Sequence, residues 1–217
     1  MRTAPLGAGG AVGAHPVVDL LERVEAVPGR CHTLPSGIVH ALGAGVLVAE
    51  VQTPSDTTYR LHDWGRAGRA LHIEAGLASA FGPGGIPTVV HAPSAGPLAD
   101  GEMCARLADT AYYTVDEVRL LDGDEVTIGF PCRCAGKHAS ESPLPHECGF
   151  VLMTIAGNGE LGAAGMAGSE GPGFAPVALA PGKTVYVPPA CAREATLRGR
   201  AGLRVLRIGV LASPTAR

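Results

Sequence analysis

Short aliphatic and β-branched runs, parted at close intervals by glycine and proline, constrain this chain more than any other feature. There are 31 glycines and 18 prolines in 217 residues. A helix tolerates neither residue in its interior, whereas strands of four to nine residues need such breaks at their ends. The pattern predicts strands at Ile38–Ala41, Val46–Gln52, Thr57–Leu61, Tyr112–Leu121, Val126–Phe130, Phe150–Ala156, Thr184–Val187, Glu194–Leu197 and Leu203–Leu211. Asp122-Gly123 and Asn158-Gly159 have the composition of hairpin turns. Two segments have helical spacing instead: Pro16–Val27, with Val17, Leu20, Leu21 and Val24 on one stripe, and Ile73–Phe81. The expected class is all-β, a sandwich or barrel.

Charge and composition exclude several functions. The net charge is -3 and no basic stripe is present, so a nucleic-acid partner is not expected. Met1 to Gly13 has no apolar core of the kind a leader carries, and the uncharged stretch Ala41 to Ala49 is far too short to cross a bilayer. No membrane association is expected, and the cytoplasm is the expected compartment. The six cysteines are therefore read as free thiols. Cys132, Cys134, His138 and Cys148 admit a metal-cluster reading, but the C-x-C spacing is not that of a zinc knuckle, and incidental cysteines are favoured.

Along the chain, residues 1–15 form a flexible N-terminus and 16–80 a first folded part. The Gly- and Pro-rich stretch within 81–110 is a linker, and 111–212 a second folded part. A faint repeat links the two parts. Pro28-Gly29 followed by Pro35 returns as Pro181-Gly182 followed by Pro188, each with the form P-G-x5-P. The position that matches His40 in the second copy is Arg193.

The run Gly29-x5-Pro35-x-Gly37-x2-His40 follows the second cupin motif, with Ala44 in place of that motif's final asparagine. The stretch PSGIVHALGAGVLVAEVQTPSDTTYRLHDW, followed by Leu71-His72-Ile73-Glu74, resembles bacterial type I mannose-6-phosphate isomerases almost continuously for about 45 residues. YYTVDEVRL, the strand around Phe150 to Leu161, and LAPGKTVYVPPAC resemble the C-terminal cupin of that family more loosely. The resemblance implies a partial first cupin over 16–80, carrying part of the metal site, and a second, C-terminal cupin-like β-sandwich over 111–212.

It also implies an activity: reversible isomerisation of mannose 6-phosphate and fructose 6-phosphate, with a divalent metal, usually zinc, and a sugar phosphate as partner. The family's late metal-ligand histidine falls on His40, its active-site arginine on Arg60, an acidic residue on Glu50 and a cationic residue that meets substrate on Arg66. These types suit the chemistry. An enediolate beside a phosphate is rich in negative charge, which a guanidinium stabilises. A carboxylate can move the proton between neighbouring carbons, and neutral imidazole suits zinc. The residues have plainer readings too: Glu50 and Arg60 as cross-strand ion partners, Asp56 as a turn former, and His62 and Asp63 as either lining the site or facing solvent. His72 is expected to be structural.

The other ligands of such a site come from an earlier Q-x-H or H-x-H segment and a downstream glutamate. This sequence contains neither segment. The expectation is a truncated isomerase, with little turnover of its own. The alternative from a different class is a non-catalytic sugar-phosphate-binding or interaction remnant on the same fold.

Overall fold

The computed structural model describes residues 16–53, 55, 57–66, 68–80, 103–128, 147–163, 174–192 and 195–211. Of the proposed cysteine cluster, Cys132, Cys134 and His138 lie outside the described residues, as do Asp56 and Arg193, and Cys148 is described by its backbone alone.

The chain divides into two compact units. One comprises Met1–Glu25, Leu34–Val48 and Pro54–Thr88; the other comprises Ala26–Thr33, Ala49–Thr53 and Val89–Arg217. In the first unit the described secondary structure is helix α1 (Pro16–Asp19) and helix α2 (Ile73–Ser79). The helix expected over Pro16–Val27 stops after one turn. Leu20 and Val24 on its apolar stripe are exposed, and a short helix without a packed face is not stable by itself. The strands expected at Ile38–Ala41, Val46–Gln52 and Thr57–Leu61 form no ladder among the described residues. Their composition suits a strand, but a strand exists only where a neighbour accepts its hydrogen bonds.

In the second unit the order is β1 (Cys104–Asp109), β2 (Tyr113–Leu120), β3 (Glu125–Thr127), β4 (Glu147–Ala156), β5 (Gly159–Ala163), β6 (Val177–Leu179), β7 (Thr184–Val187), helix α3 (Pro189–Ala192), β8 (Ala195–Gly199) and β9 (Leu203–Leu211). A five-stranded sheet runs β1-β2-β9-β4-β7 and a four-stranded sheet runs β3-β8-β5-β6. All the pairings are antiparallel. The pairs β2·β9, β3·β8, β4·β7 and β5·β6 fold one long hairpin of strands over on itself, which is the double Greek key of a jelly roll. The chain is therefore all-β in this unit, with the architecture of a cupin barrel.

The two glycine turns do not close hairpins. Asp122-Gly123 leads from β2 in one sheet to β3 in the other, and Asn158 leads from β4 to β5 across the same gap. Both are corners. β1 lies within the stretch expected as a linker, and β5 and β6 were not among the expected strands. Pro28-Gly29 and Pro181-Gly182 do form the same turn, closed by Arg30 N–H to Val27 C=O at 3.1 Å and Lys183 N–H to Ala180 C=O at 3.0 Å. The copies then diverge, with α3 following Pro188.

Strand parity divides the core. Val118 and Leu120 of β2, Leu203 and Val205 of β9, and Phe150 and Leu152 of β4 meet Leu161, Leu179 and Leu197 between the sheets. Their neighbours Val115, Leu206 and Ile208 point to the other face of the larger sheet, where they pack with Leu107, Cys31 and Val51. Tyr113 Oη donates to the Val51 carbonyl at 3.1 Å, so Ala49–Thr53 is tied to this face. Burial, with Cys31 beside it, raises the Tyr113 phenol above its ordinary range.

Candidate functional site

Among the described residues of the first unit, charges gather on one loop, Arg60 to His72. Its ends are fastened together: the His72 N–H donates to the Arg60 carbonyl at 2.8 Å, and the Arg60 N–H donates to His72 Nδ1 at 3.2 Å. His72 opens α2, whose Gly76 packs against Leu61. The structural role expected for His72 matches this geometry.

Inside the loop a tight turn reverses the chain. The Arg66 N–H donates to the Asp63 carbonyl at 3.0 Å across Trp64 and Gly65, whose φ angles are 49° and 71°. Positive φ at both central residues is the type I′ arrangement. Glycine adopts it freely. For Trp64 it costs about 1–2 kcal/mol, and Trp64 is the one non-glycine residue with positive φ among the described residues. Its ring meets the His62 ring edge-on, with centroids 4.8 Å apart.

The turn gathers cations on one carboxylate. Asp63 is 6% exposed, and its Oδ1 lies 2.8 Å from Arg66 Nη2, 3.5 Å from Arg60 Nε and 3.5 Å from Arg69 Nη1. None of these contacts has hydrogen-bond direction, and both carboxylate oxygens are buried without a hydrogen-bond donor. Asp63 is thus held by charge. The three guanidiniums differ in access: Arg60 is 22% exposed, Arg69 47% and Arg66 60%. Arg60 Nη1 also donates to the Ala70 carbonyl at 3.4 Å, and Arg66 Nε to the Asp63 carbonyl at 3.2 Å.

Of the four residues expected at a site, Arg60 and Arg66 are brought together here. His40, in the same unit, is exposed, and its Nδ1 lies 2.8 Å from the Ile38 carbonyl. With Nδ1–H donating, Nε2 keeps the lone pair a metal would take. Glu50 is exposed and belongs to the other unit. Among the described residues no three His, Cys, Asp or Glu side chains gather as a metal site. His40 offers one imidazole nitrogen, and the described residues do not complete a ligand set around it.

Arg69 is not among the residues the sequence assigns to a site, and Asp63 admits two readings there. Their signal in the sequence is Arg60-x2-Asp63-x2-Arg66-x2-Arg69, a charge every three residues.

No family model matches this chain. Among curated proteins it is 45% identical over 64 residues to mannose-6-phosphate isomerase ManA of Bacillus subtilis, which covers 27% of this chain and 20% of that one. It is 38% identical over 103 residues to the probable mannose-6-phosphate isomerase GmuF of the same organism, covering 44% and 31%. It is 41% identical over 63 residues to the mannose-6-phosphate isomerase of Streptococcus mutans, covering 27% and 20%. The chain thus spans between 20% and 31% of the length of these relatives. Solved structures similar to it include a cupin superfamily protein of Desulfitobacterium hafniense, with 13% identity, a TM-score of 0.33 and coverage of 50% of this chain and 76% of that one. A cupin 2 conserved barrel protein of Salinispora arenicola has 16% identity, a TM-score of 0.33 and coverage of 50% and 75%. The fold rests on strand order, not on these distant likenesses. The chain is similar to part of a mannose-6-phosphate isomerase and carries a cupin-like jelly roll.

Proposed function

We propose that this chain is part of a sugar-phosphate isomerase that interconverts mannose 6-phosphate and fructose 6-phosphate, and that the loop Arg60 to His72 contributes its anion-handling residues. The observation that supports this best is the convergence of Arg60 and Arg66 on Asp63, within a sequence that is 38–45% identical to mannose-6-phosphate isomerases over its matched segments. In this reading a proton leaves the carbon next to the carbonyl and returns to the neighbouring carbon. The enediolate between these steps carries its charge on oxygen, where a preorganised guanidinium stabilises it. Arg60, mostly withdrawn from solvent and fixed at its main chain by His72, suits that task. The more exposed Arg66 suits substrate binding, and Glu50 is the proposed proton carrier. A divalent metal, with His40 as one ligand, would polarise the carbonyl when bound.

A coupled assay with mannose 6-phosphate and added zinc tests the reading. With the N-terminal half of a full-length relative supplied, turnover that Arg60→Ala lowers at least tenfold supports it; a combination that binds the sugar phosphate yet never turns it over overturns it. That outcome is the binding-remnant reading.

A further inference from the structure

We infer that His72 is an acid-sensitive clasp and the positioning residue for Arg60: its neutral imidazole holds the loop Arg60 to His72 closed, and a second proton on the ring opens it. The clasp itself is built from this chain's own hydrogen bonds. What it would regulate, the placement of Arg60 beside a reacting sugar, rests on the isomerase reading.

The direction of one hydrogen bond fixes the state of the ring. A main-chain N–H can only donate, so the Arg60 N–H, 3.2 Å from His72 Nδ1, requires a lone pair on that nitrogen. The closed loop therefore takes the neutral ring with its hydrogen on Nε2. Imidazolium carries a hydrogen on both nitrogens. The one on Nδ1 would point at the Arg60 N–H, and a single proton turns an attraction into two opposed donors. An ordinary imidazole takes that proton at about pH 6.5. His72 is half-buried, not sealed, so solvent protons reach it.

The place of His72 in the chain sets it apart from an ordinary cap. It immediately precedes α2, and its carbonyl accepts the Gly76 N–H at 2.8 Å. A side chain at that position commonly accepts from the first turn of its own helix. His72 makes no such bond; its ring turns back to a residue 12 positions earlier. With the His72 N–H on the Arg60 carbonyl at 2.8 Å, the closure has two points. Charging the ring removes one of them.

The groups around the ring are few in kind. From the segment before the loop come Tyr59, whose ring meets that of His72 edge-on with centroids 6.2 Å apart, and Arg60, whose guanidinium lies toward Asp63 and the Ala70 carbonyl. From α2 comes Glu74, the acid of its first turn. His62 and Asp63 lie between the two ends of the loop and are the other acid-sensitive groups there. Closure by His72 is whole above the imidazole range and is lost as pH falls through it. In the isomerase reading, acid then frees the main chain that places the Arg60 guanidinium.

The test is amide hydrogen exchange on the full chain without substrate, from about pH 8 to about pH 5.5, across the imidazole range. Each rate is divided by the intrinsic rate at that pH. Protection of the Arg60 N–H should fall about tenfold on acidification, the loss of one hydrogen bond. Fluorescence of Trp64, the single tryptophan of the sequence, should change over the same interval. His72→Asn offers an oxygen that accepts from the Arg60 N–H and does not titrate, so Arg60 should stay protected throughout. His72→Ala should leave it unprotected throughout. His62→Gln should keep the acid response of the Arg60 N–H. If His72→Asn does not fold, the ring resonances of the wild type decide: Nδ1 bare at about pH 8 and gaining a hydrogen as Arg60 loses protection is expected. An Arg60 protection that ignores pH, an acid response that survives in His72→Asn or vanishes in His62→Gln, or a hydrogen on Nδ1 in the closed loop overturns the inference. No substrate enters these measurements, so an inactive chain overturns the isomerase reading and leaves the clasp standing.

Discussion

Asp116 on β2 and Arg207 on β9 face each other between the two sheets of the jelly roll. Neither is accessible to solvent, and Arg207 Nη1 lies 3.5 Å from Asp116 Oδ2. Arg207 spans the barrel: Nε donates to the Ile128 carbonyl at 2.9 Å, and its guanidinium carbon lies 4.7 Å from the centre of the Phe150 ring. Asp116 has a second cation, Arg106 Nε at 2.5 Å, from the neighbouring strand. Asp116 thus faces two cations. Asp116→Leu removes the carboxylate from beside a buried guanidinium that cannot lose its proton and should cost about 3–5 kcal/mol. Arg207→Met leaves Asp116 paired with Arg106 and should cost less. The double variant should recover part of the loss. Urea unfolding of the four species gives the cycle, and equal single losses that simply add would contradict it.

Gly157 marks the corner where the chain passes from β4 to β5. Its φ is 69°, and a Cβ there would lie 2.2 Å from the Gly202 carbonyl oxygen. Neither backbone can yield without moving the β8–β9 connection. Gly157→Ala should destabilise the domain by about 1–3 kcal/mol, read as a lowered midpoint in chemical unfolding. Gly162→Ala, with open space around it, is the control and should stay within about 1 kcal/mol.

Burial first, and the nearby Asp116 carboxylate second, push the Cys104 thiol up to about 12 from an ordinary 9.0. The unfolded chain releases this proton above about pH 9, while the folded chain keeps it until about pH 12. Stability linked to this thiol is therefore whole below pH 9 and is lost as pH rises through the interval to 12. Denaturant midpoints should fall across that interval in the wild type and fall less in Cys104→Ala. The native thiol should resist iodoacetamide at pH 8, where little thiolate forms.

Turnover and binding should separate in this chain. Isomerase activity of the chain alone should be slight in a coupled assay, because a catalytic zinc usually holds three protein ligands and the proposed reading supplies one, His40. Sugar-phosphate affinity should rise as pH increases through about 6, where the phosphate takes its second charge. Turnover matching that of a full-length relative, and abolished by His40→Ala, would contradict the first expectation. A flat affinity profile would contradict the second.

Legibility in the sequence followed how local each feature is. β7 and β9 stand at the residues expected, and β2 within one residue at either end, because their runs are long or sharply bounded and alternate between the two faces. Asp122-Gly123 forms the expected turn but not a hairpin, since turn chemistry fixes the reversal and not which strand the chain meets next. The apolar run Val46 to Val48 has strand composition on both faces, yet among the described residues it is exposed and without a ladder. At the site, Arg60 and Arg66 were legible through resemblance. Arg69 was not, because its part depends on a turn with Trp64 in a conformation its side chain disfavours.

The position of β9 has a consequence for how the domain comes into being. It is the last strand among the described residues but sits third in its sheet, between β2 and β4. Until residue 211 has left the ribosome, both strands wait with open edges. Such pairing of distant segments makes folding slow and late. The nascent chain should therefore need shielding by a chaperone for most of its synthesis, and a stop codon a few residues before Leu211 should remove the whole sheet, not its end.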